Sequence, residues 1–377
     1  MKSILYTSGN PWQRKAYMHL SEYLEKKGVQ EFGKSKGGNS YRHLLKEEDK
    51  EKNFISRELY DLTLERFGSH KAGDLNRILT NTASSQAYCF NMFLYLNQHK
   101  VLAHALFNQL MGKAVMVEHI ELEFTPDQMQ VDAFSDSLTL SETITKQQDE
   151  SIGDQSTFGG TDADVAVFYS FSEAIEGFTS SETLNRKNGV LLIEFKFIEA
   201  GFSVCSSFKN KQEVRSYCSG PDYYRELVIN QQTDNRQQPL CGYTRYRNWA
   251  LTVESCLFSE SVTQSDTLTG NRLPTCPFRY GLNQLWRNLL LVERVAEVRE
   301  CDEFDFWVLS PRENDDYLWR QKGADVEQLF RATLTEKGNR HFRKMNLEEV
   351  YDVLEGIMRT EEDKVWLSGL EEKYVIG

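Results

Sequence analysis

The stretch "GVLLIEFKF", residues 189–197, is apolar enough to be a buried strand, yet it sets a carboxylate and an ammonium two residues apart. Side chains in a strand alternate faces, so Glu194 and Lys196 project to one side and Ile193, Phe195 and Phe197 to the other. Charges in such a setting are costly unless paired with each other or with a metal. An internal salt bridge at a strand end is the plain reading of an isolated E-x-K, and its neighbours decide whether it is more.

Upstream, "TDADVAVFYSF" (161–171) alternates as a second strand. The polar excursion from Ser172 closes on Asn188–Gly189, a tight-turn signal, so the two segments are expected to pair as a hairpin. That pairing sets Asp164, at the start of one strand, opposite the end of the other, where Glu194 and Lys196 share a face. Two carboxylates can hold a hard divalent cation such as Mg²⁺, which prefers oxygen ligands and retains waters. Such an ion polarises a phosphoryl oxygen and acidifies a water. A lysine beside it can orient or deprotonate that water, or stabilise charge developing on the phosphate.

Outward from this pair, "RKAYMHLSEYLEKKG" and "ISRELYDLTLERFG" have the spacing of amphipathic helices, and "SSQAYCFNMFLYLNQHKVLAHALFNQLM" predicts one or two buried helices behind a Ser cap. "KAVMVEHIELEFTP" switches to strand character and stops before Pro126. Residues 127–158 are polar and rich in Ser, Thr and Gln, as in a long connection. A helix is expected within Gln212–Asn230. "PFRYGLNQLWRNLLLVERVAEV" predicts a long buried helix, "DEFDFWVLSP" a strand halted by Pro311, and "NLEEVYDVLEGIMR" a helix capped by Asn346. The expected organisation is a helical N-terminal extension (1–80), a core (81–311) and a helical C-terminal extension packed on it (312–377).

Several stretches together resemble the PD-(D/E)XK nuclease superfamily, and more narrowly a restriction-endonuclease-like family of bacteria. They are "SSQAYCFNMF", "LEFTP", "GTDADVAV", "LLIEFKFIEAG", "PFRYGLNQLWRNLLL" and "WLSGLEEKY", running from about Ser84 onward. The resemblance implies an α/β fold with a restriction-endonuclease-like core, a mixed central sheet flanked by helices. It implies a metal-dependent endonuclease that hydrolyses DNA phosphodiester bonds, with Mg²⁺ as cofactor and Mn²⁺ as a substitute, in bacterial defence against foreign DNA. Asp164 matches the metal-binding aspartate, with Asp162 on the same face as its competitor. Glu194 matches the acidic residue of the second half-motif and Lys196 the catalytic lysine. Phe195 matches the position that gives a backbone carbonyl to the metal. Glu123 fits the earlier glutamate many members add, with Glu121 and Glu118 behind it.

Gln284 and Arg287 stand one turn apart on the long helix, where relatives place residues that support the site or touch phosphate, with an internal salt bridge as the plain reading of Arg287. "YTRYRNW" mixes Arg245 and Arg247 with Tyr243, Tyr246 and Trp249, a combination suited to phosphate contact and base stacking as well as to a half-exposed strand. DNA is the expected partner, with RNA not excluded. A double-strand break needs two active sites, so a homodimer is one expectation and an activating partner protein another. Rival readings are a repair, junction or RNA nuclease of the same fold, and a non-catalytic nucleic-acid- or protein-binding scaffold.

Composition narrows the field. The chain has 377 residues, 40% hydrophobic and 27% charged, with a net charge of −12 that basic stretches such as "KSKGGNSYRH" interrupt locally. No apolar run approaches the roughly 20 residues of a membrane span, and no signal peptide is apparent, so a soluble cytoplasmic protein is expected. Seven cysteines without any C-x-x-C argue against a disulfide framework or a standard zinc ribbon, though five between Cys205 and Cys276 leave an irregular zinc site open. The usual signatures of P-loop, dinucleotide-binding, zincin and serine-hydrolase sites are absent.

Overall fold

Alternation builds the sheet. In the computed structural model, which describes residues 4–69, 73–125, 163–173, 185–204, 251–252, 254–263, 278, 281–321 and 323–377, five strands form a mixed sheet. These are β1 (Val115–Phe124), β2 (Ala163–Glu173), β3 (Asn185–Phe195), β4 (Glu303–Ser310) and β5 (Phe342–Asn346), in that spatial order. β1, β2 and β3 run antiparallel in succession, whereas β3, β4 and β5 are parallel. The architecture is α/β, a restriction-endonuclease-like core with helices on both faces.

One face carries Val165, Val167, Leu191, Ile193, Phe195 and Phe197, buried in a large cluster with residues of the surrounding helices. Those helices are α1 (Pro11–Lys26), α2 (Arg57–Ser69), α3 (Leu75–Thr80), α4 (Ser85–Gln98) and α5 (Lys100–Met111). The other face buries Ala166, Phe168, Val190 and Leu192 against α6 (Leu282–Val298), whose Leu285, Leu289, Val292 and Val295 recur at helical spacing. Full burial on both faces explains why "GVLLIEF" reads as a continuous apolar run.

The first 80 residues share the core of the sheet through Trp12, Leu20, Phe54, Leu59 and Ile78, while Tyr23, Leu24, Val29, Phe32 and Leu45 form a small cluster of their own. Helix α1 begins with Pro11 behind a reciprocal Asn10–Gln13 capping box. Its first turn docks on the strand end beyond Lys196, with Trp12 Nε1 donating to Phe197 O (2.9 Å) and Gln13 Nε2 to Ile198 O (2.9 Å). The stretch after residue 311, expected to be helical, supplies α7 (Leu347–Ile357) and α8 (Glu361–Tyr374) and also the fifth strand, β5. Helix α8 closes over α4: Tyr374 stacks on Tyr88 with ring centroids 3.8 Å apart, and Trp366 Nε1 donates to Asn91 O (2.9 Å).

Asn188–Gly189 is not a turn. Both residues lie inside β3, where Gly189 faces Tyr169 across the strand pair. A Cβ at Gly189 would come within 2.3 Å of the buried Tyr169 ring, so glycine is required by close approach rather than by chain reversal. The expected connection at 127–158 and the helix within 212–230 lie outside the described residues.

Candidate active site

Register assembles the site. Leu122 pairs with Val165 and Val165 with Ile193, so one residue further along each strand puts Glu123, Asp164 and Glu194 in a single row across β1, β2 and β3. Lys196 follows two residues after Glu194 on the same face, its backbone N–H donating to Leu309 O at 2.8 Å. Asp164 Oδ2 accepts the Phe195 N–H at 2.7 Å, which ties the β2 carboxylate to the peptide between Glu194 and Lys196. The Phe195 ring faces away, packed edge-on against Tyr88 and Phe93.

Glu194 is 2% exposed and held at both oxygens. Oε1 meets Lys196 Nζ at 2.6 Å and accepts from Gln284 Nε2 at 2.7 Å, and Oε2 accepts from Asn288 Nδ2 at 2.6 Å. Gln284 is itself steadied by the Ser203 N–H, 3.1 Å from its Oε1. The expected phosphate contact at Gln284 therefore lies inside the site, with its amide directed at Glu194. Asn288, four residues on, shares its face of α6. Two polar residues at i, i+4 among Leu285, Leu289 and Val292 were the sequence signal for this support.

Electrostatics follow from burying so many acids together. Desolvation, then the Glu194 charge, hold the Asp164 carboxyl well above the usual carboxylate range, and Lys196 only partly offsets them. Burial alone would push the Lys196 ammonium down, but Glu194, Glu199 and Asp164 around it reverse the effect and raise it. A further cation would relieve this concentration of negative charge. The donors are all hard oxygens, which fits a hard divalent ion. Among the described residues no three His, Cys, Asp or Glu side chains group closely enough to hold a metal, so an ion bound by Asp164 and Glu194 would fill its shell with carbonyl and water oxygens.

Glu123 is 5% exposed and has a left-handed backbone, φ 49°. A side-chain-bearing residue rarely adopts this conformation, and such strain concentrates at functional positions. Around it the strand changes face: Leu122 belongs to the α4 side and Phe124 to the α6 side. Gly73 lies over its side chain, where a Cβ would be 2.9 Å from Glu123 Cγ.

Two further participants carry no motif. Glu199 accepts from Ser85 Oγ (2.8 Å) and from the Phe197 N–H (2.8 Å), anchoring the strand end to the start of α4. Cys89, one turn along α4, is fully buried; desolvation and then Asp164, Glu123, Glu194 and Glu199 push its thiol well above its usual range. Asp162, Arg245 and Arg247 lie outside the described residues, as do Cys205, Cys218, Cys241 and Cys276; Cys89, Cys256 and Cys301 are free thiols.

Among the described residues no helix is long and apolar enough to cross a membrane. No curated protein and no solved structure matches the chain. A family model described as restriction endonuclease associating with ARP matches residues 18–375, a span that takes in all five strands and every residue of the row, and the chain belongs to that restriction-endonuclease-like family.

Proposed function

We propose that the protein is a metal-dependent endonuclease of the PD-(D/E)XK type that hydrolyses DNA phosphodiester bonds. The observation that carries this reading is the Glu194–Lys196 pair, 2.6 Å apart on one strand face with Asp164 in register on the neighbouring strand. Family membership supports nuclease chemistry in general. The finer assignment rests on this row of residues.

Asp164 and Glu194 would hold the ion, with the Phe195 carbonyl as a third donor and Glu123 at the end of the row. When bound, Mg²⁺, or Mn²⁺ in its place, supplies Lewis-acid polarisation of the phosphate and lowers the pKa of a water. Gln284 and Asn288 fix the Glu194 carboxylate so that its oxygens need not reorganise during the reaction. Lys196 presents an ammonium to the charge that grows on the phosphate as water attacks in line. The new bond joins the water oxygen to phosphorus and the bond to the 3′ oxygen breaks. The proton lost by water is matched by one gained at the 3′ oxygen, leaving a 5′-phosphate and a 3′-hydroxyl.

The family description names association with ARP, which supports control by a partner protein. A cytoplasmic role in defence against foreign DNA fits this chemistry. The test incubates supercoiled plasmid and linear duplex with purified protein in Mg²⁺, Mn²⁺ or EDTA, beside Lys196→Ala. Metal-dependent cleavage that disappears in the variant supports the assignment. Cleavage that survives Lys196→Ala removes it.

A further inference from the structure

Gly73 and Asp74, just before α3, lie against the carboxylate row. Gly73, with φ 93°, rests on Glu123, and Asp74 caps the helix by accepting the Arg77 N–H at 3.0 Å. Four residues beyond Gly73, the Arg77 guanidinium stands 4.0 Å from Glu199 Oε1. Residues 73–77 therefore run from one end of the carboxylate group to the other. Glu199 already has a short hydrogen bond on each oxygen, from Ser85 and from Phe197. Arg77 lies beyond hydrogen-bond reach of it, and its side chain is 49% exposed. Glu199 thus draws a guanidinium to the rim without consuming its donors.

Aromatic rings continue the rim. Tyr17 stands one turn after Gln13 on α1, and Gln13 Nε2 donates to Ile198 O at 2.9 Å, next to Glu199 in the chain. Tyr17 packs on Tyr6 (4.5 Å), Tyr6 meets Tyr41 edge-on (5.5 Å), and Tyr41 stacks on the buried His43 (5.6 Å). Tyr6, Tyr17 and Tyr41 are half-buried. A polyanion approaching Glu123, Asp164, Glu194 and Glu199 needs cations at the entrance. A guanidinium beside accessible rings matches the phosphate and the unstacked base of one nucleotide.

We propose that Arg77 together with Tyr6, Tyr17 and Tyr41 forms a nucleotide subsite at the rim, which grips the phosphate and the unpaired base flanking the bond to be cut. The substrate class is then nucleic acid with unpaired nucleotides at that position: a single strand, a flap or a frayed end. This inference rests on the nuclease reading above.

The experiment measures binding of a labelled oligonucleotide, single-stranded and as duplex, to the full chain carrying Lys196→Ala, over a range of salt, with plasmid cleavage by the unsubstituted chain alongside. The single strand is expected to bind more tightly than the duplex. Arg77→Gln should weaken single-strand binding and lower the salt slope by about 0.7, the share of one phosphate contact. Tyr6→Leu should weaken it roughly 5- to 100-fold at unchanged slope, the range of one lost base stack. Tyr6→Phe should restore affinity, and Arg320→Gln, a guanidinium elsewhere, should change nothing. Thermal melts confirm folding, and Arg77→Lys and Tyr6→Phe carry the comparison if a harsher variant fails to fold. Metal-dependent cleavage by the unsubstituted chain, with Arg77→Gln and Tyr6→Leu binding as the parent does, overturns the subsite and leaves the nuclease standing. Tighter binding to duplex overturns the preference for unpaired nucleotides. Neither cleavage nor any binding of DNA or RNA overturns the nuclease reading and the subsite with it.

Discussion

Asn288 donates its Nδ2–H to Glu194 Oε2 at 2.6 Å, and this bond completes the hydrogen bonding of a carboxylate that is 2% exposed. Asn288→Leu keeps the shape and removes the donor. Leaving a buried charged acceptor short of a partner costs roughly 1–3 kcal/mol or more. Loss of a supporting bond of this kind lowers metal affinity or activity by about 10- to 100-fold. Calorimetric titration with Mn²⁺ and the Mg²⁺ dependence of cleavage should both shift toward weaker binding. Unchanged curves would show that Lys196 and Gln284 suffice to orient Glu194.

Glu123 should trade stability for activity. Its φ of 49° is a conformation that asparagine tolerates far better than glutamate, and it adds a carboxylate near Asp164. Glu123→Asn should raise the urea midpoint, by about 1 kcal/mol in stability, while reducing cleavage. A lower midpoint would mean that the Glu123 side chain stabilises the strand end more than the backbone strain costs.

Gly189 provides a steric test away from the carboxylate row. An added Cβ would meet Tyr169 Cζ at 2.3 Å, and Tyr169, 1% exposed, has no room to withdraw. Gly189→Ala is expected to destabilise by roughly 1–3 kcal/mol, the usual cost of overpacking. A chemical-denaturation curve superimposable on the parent's would refute the close approach.

His43 predicts acid lability. Burial pushes its imidazole down from 6.5 to about 4, and its ring is enclosed by Tyr6, Tyr17 and Tyr41. The unfolded chain therefore binds a proton that the folded chain refuses between those values. The contribution is fully present above pH 6.5 and is lost as pH falls toward 4, to a total of about 3 kcal/mol. His43→Phe should flatten the fall of stability with pH across that window, measured by thermal melts from neutral to mildly acidic buffer. An equally steep fall in the variant would place the lability elsewhere.

What could be read beforehand followed from period. The two-residue alternation of "LLIEFKF" fixed which side chains share a face, and pairing with "TDADVAV" set Asp164 against Glu194. Other features have no period to betray them. "FRKMN" is too short and too charged to announce a strand, and it becomes β5 only by lying parallel to the buried β4. The left-handed turn of Glu123 is imposed by a strand that must change faces, which no local residue preference signals. Asn188–Gly189 looks like a turn because glycine's freedom and its lack of a side chain are the same letter in a sequence, and here the second property is the one used.

The way α8 seals α4 has a consequence for when this protein can act. A ribosome that has extended the chain to Lys196 has already delivered Glu123, Asp164 and Glu194. It has not yet made the Gln284 and Asn288 that orient Glu194, the β4 carbonyl that pins Lys196, or the Tyr374 ring that covers Tyr88. The three carboxylates come early and the parts that align them come late. An unfinished chain therefore carries the carboxylate row without the groups that orient it.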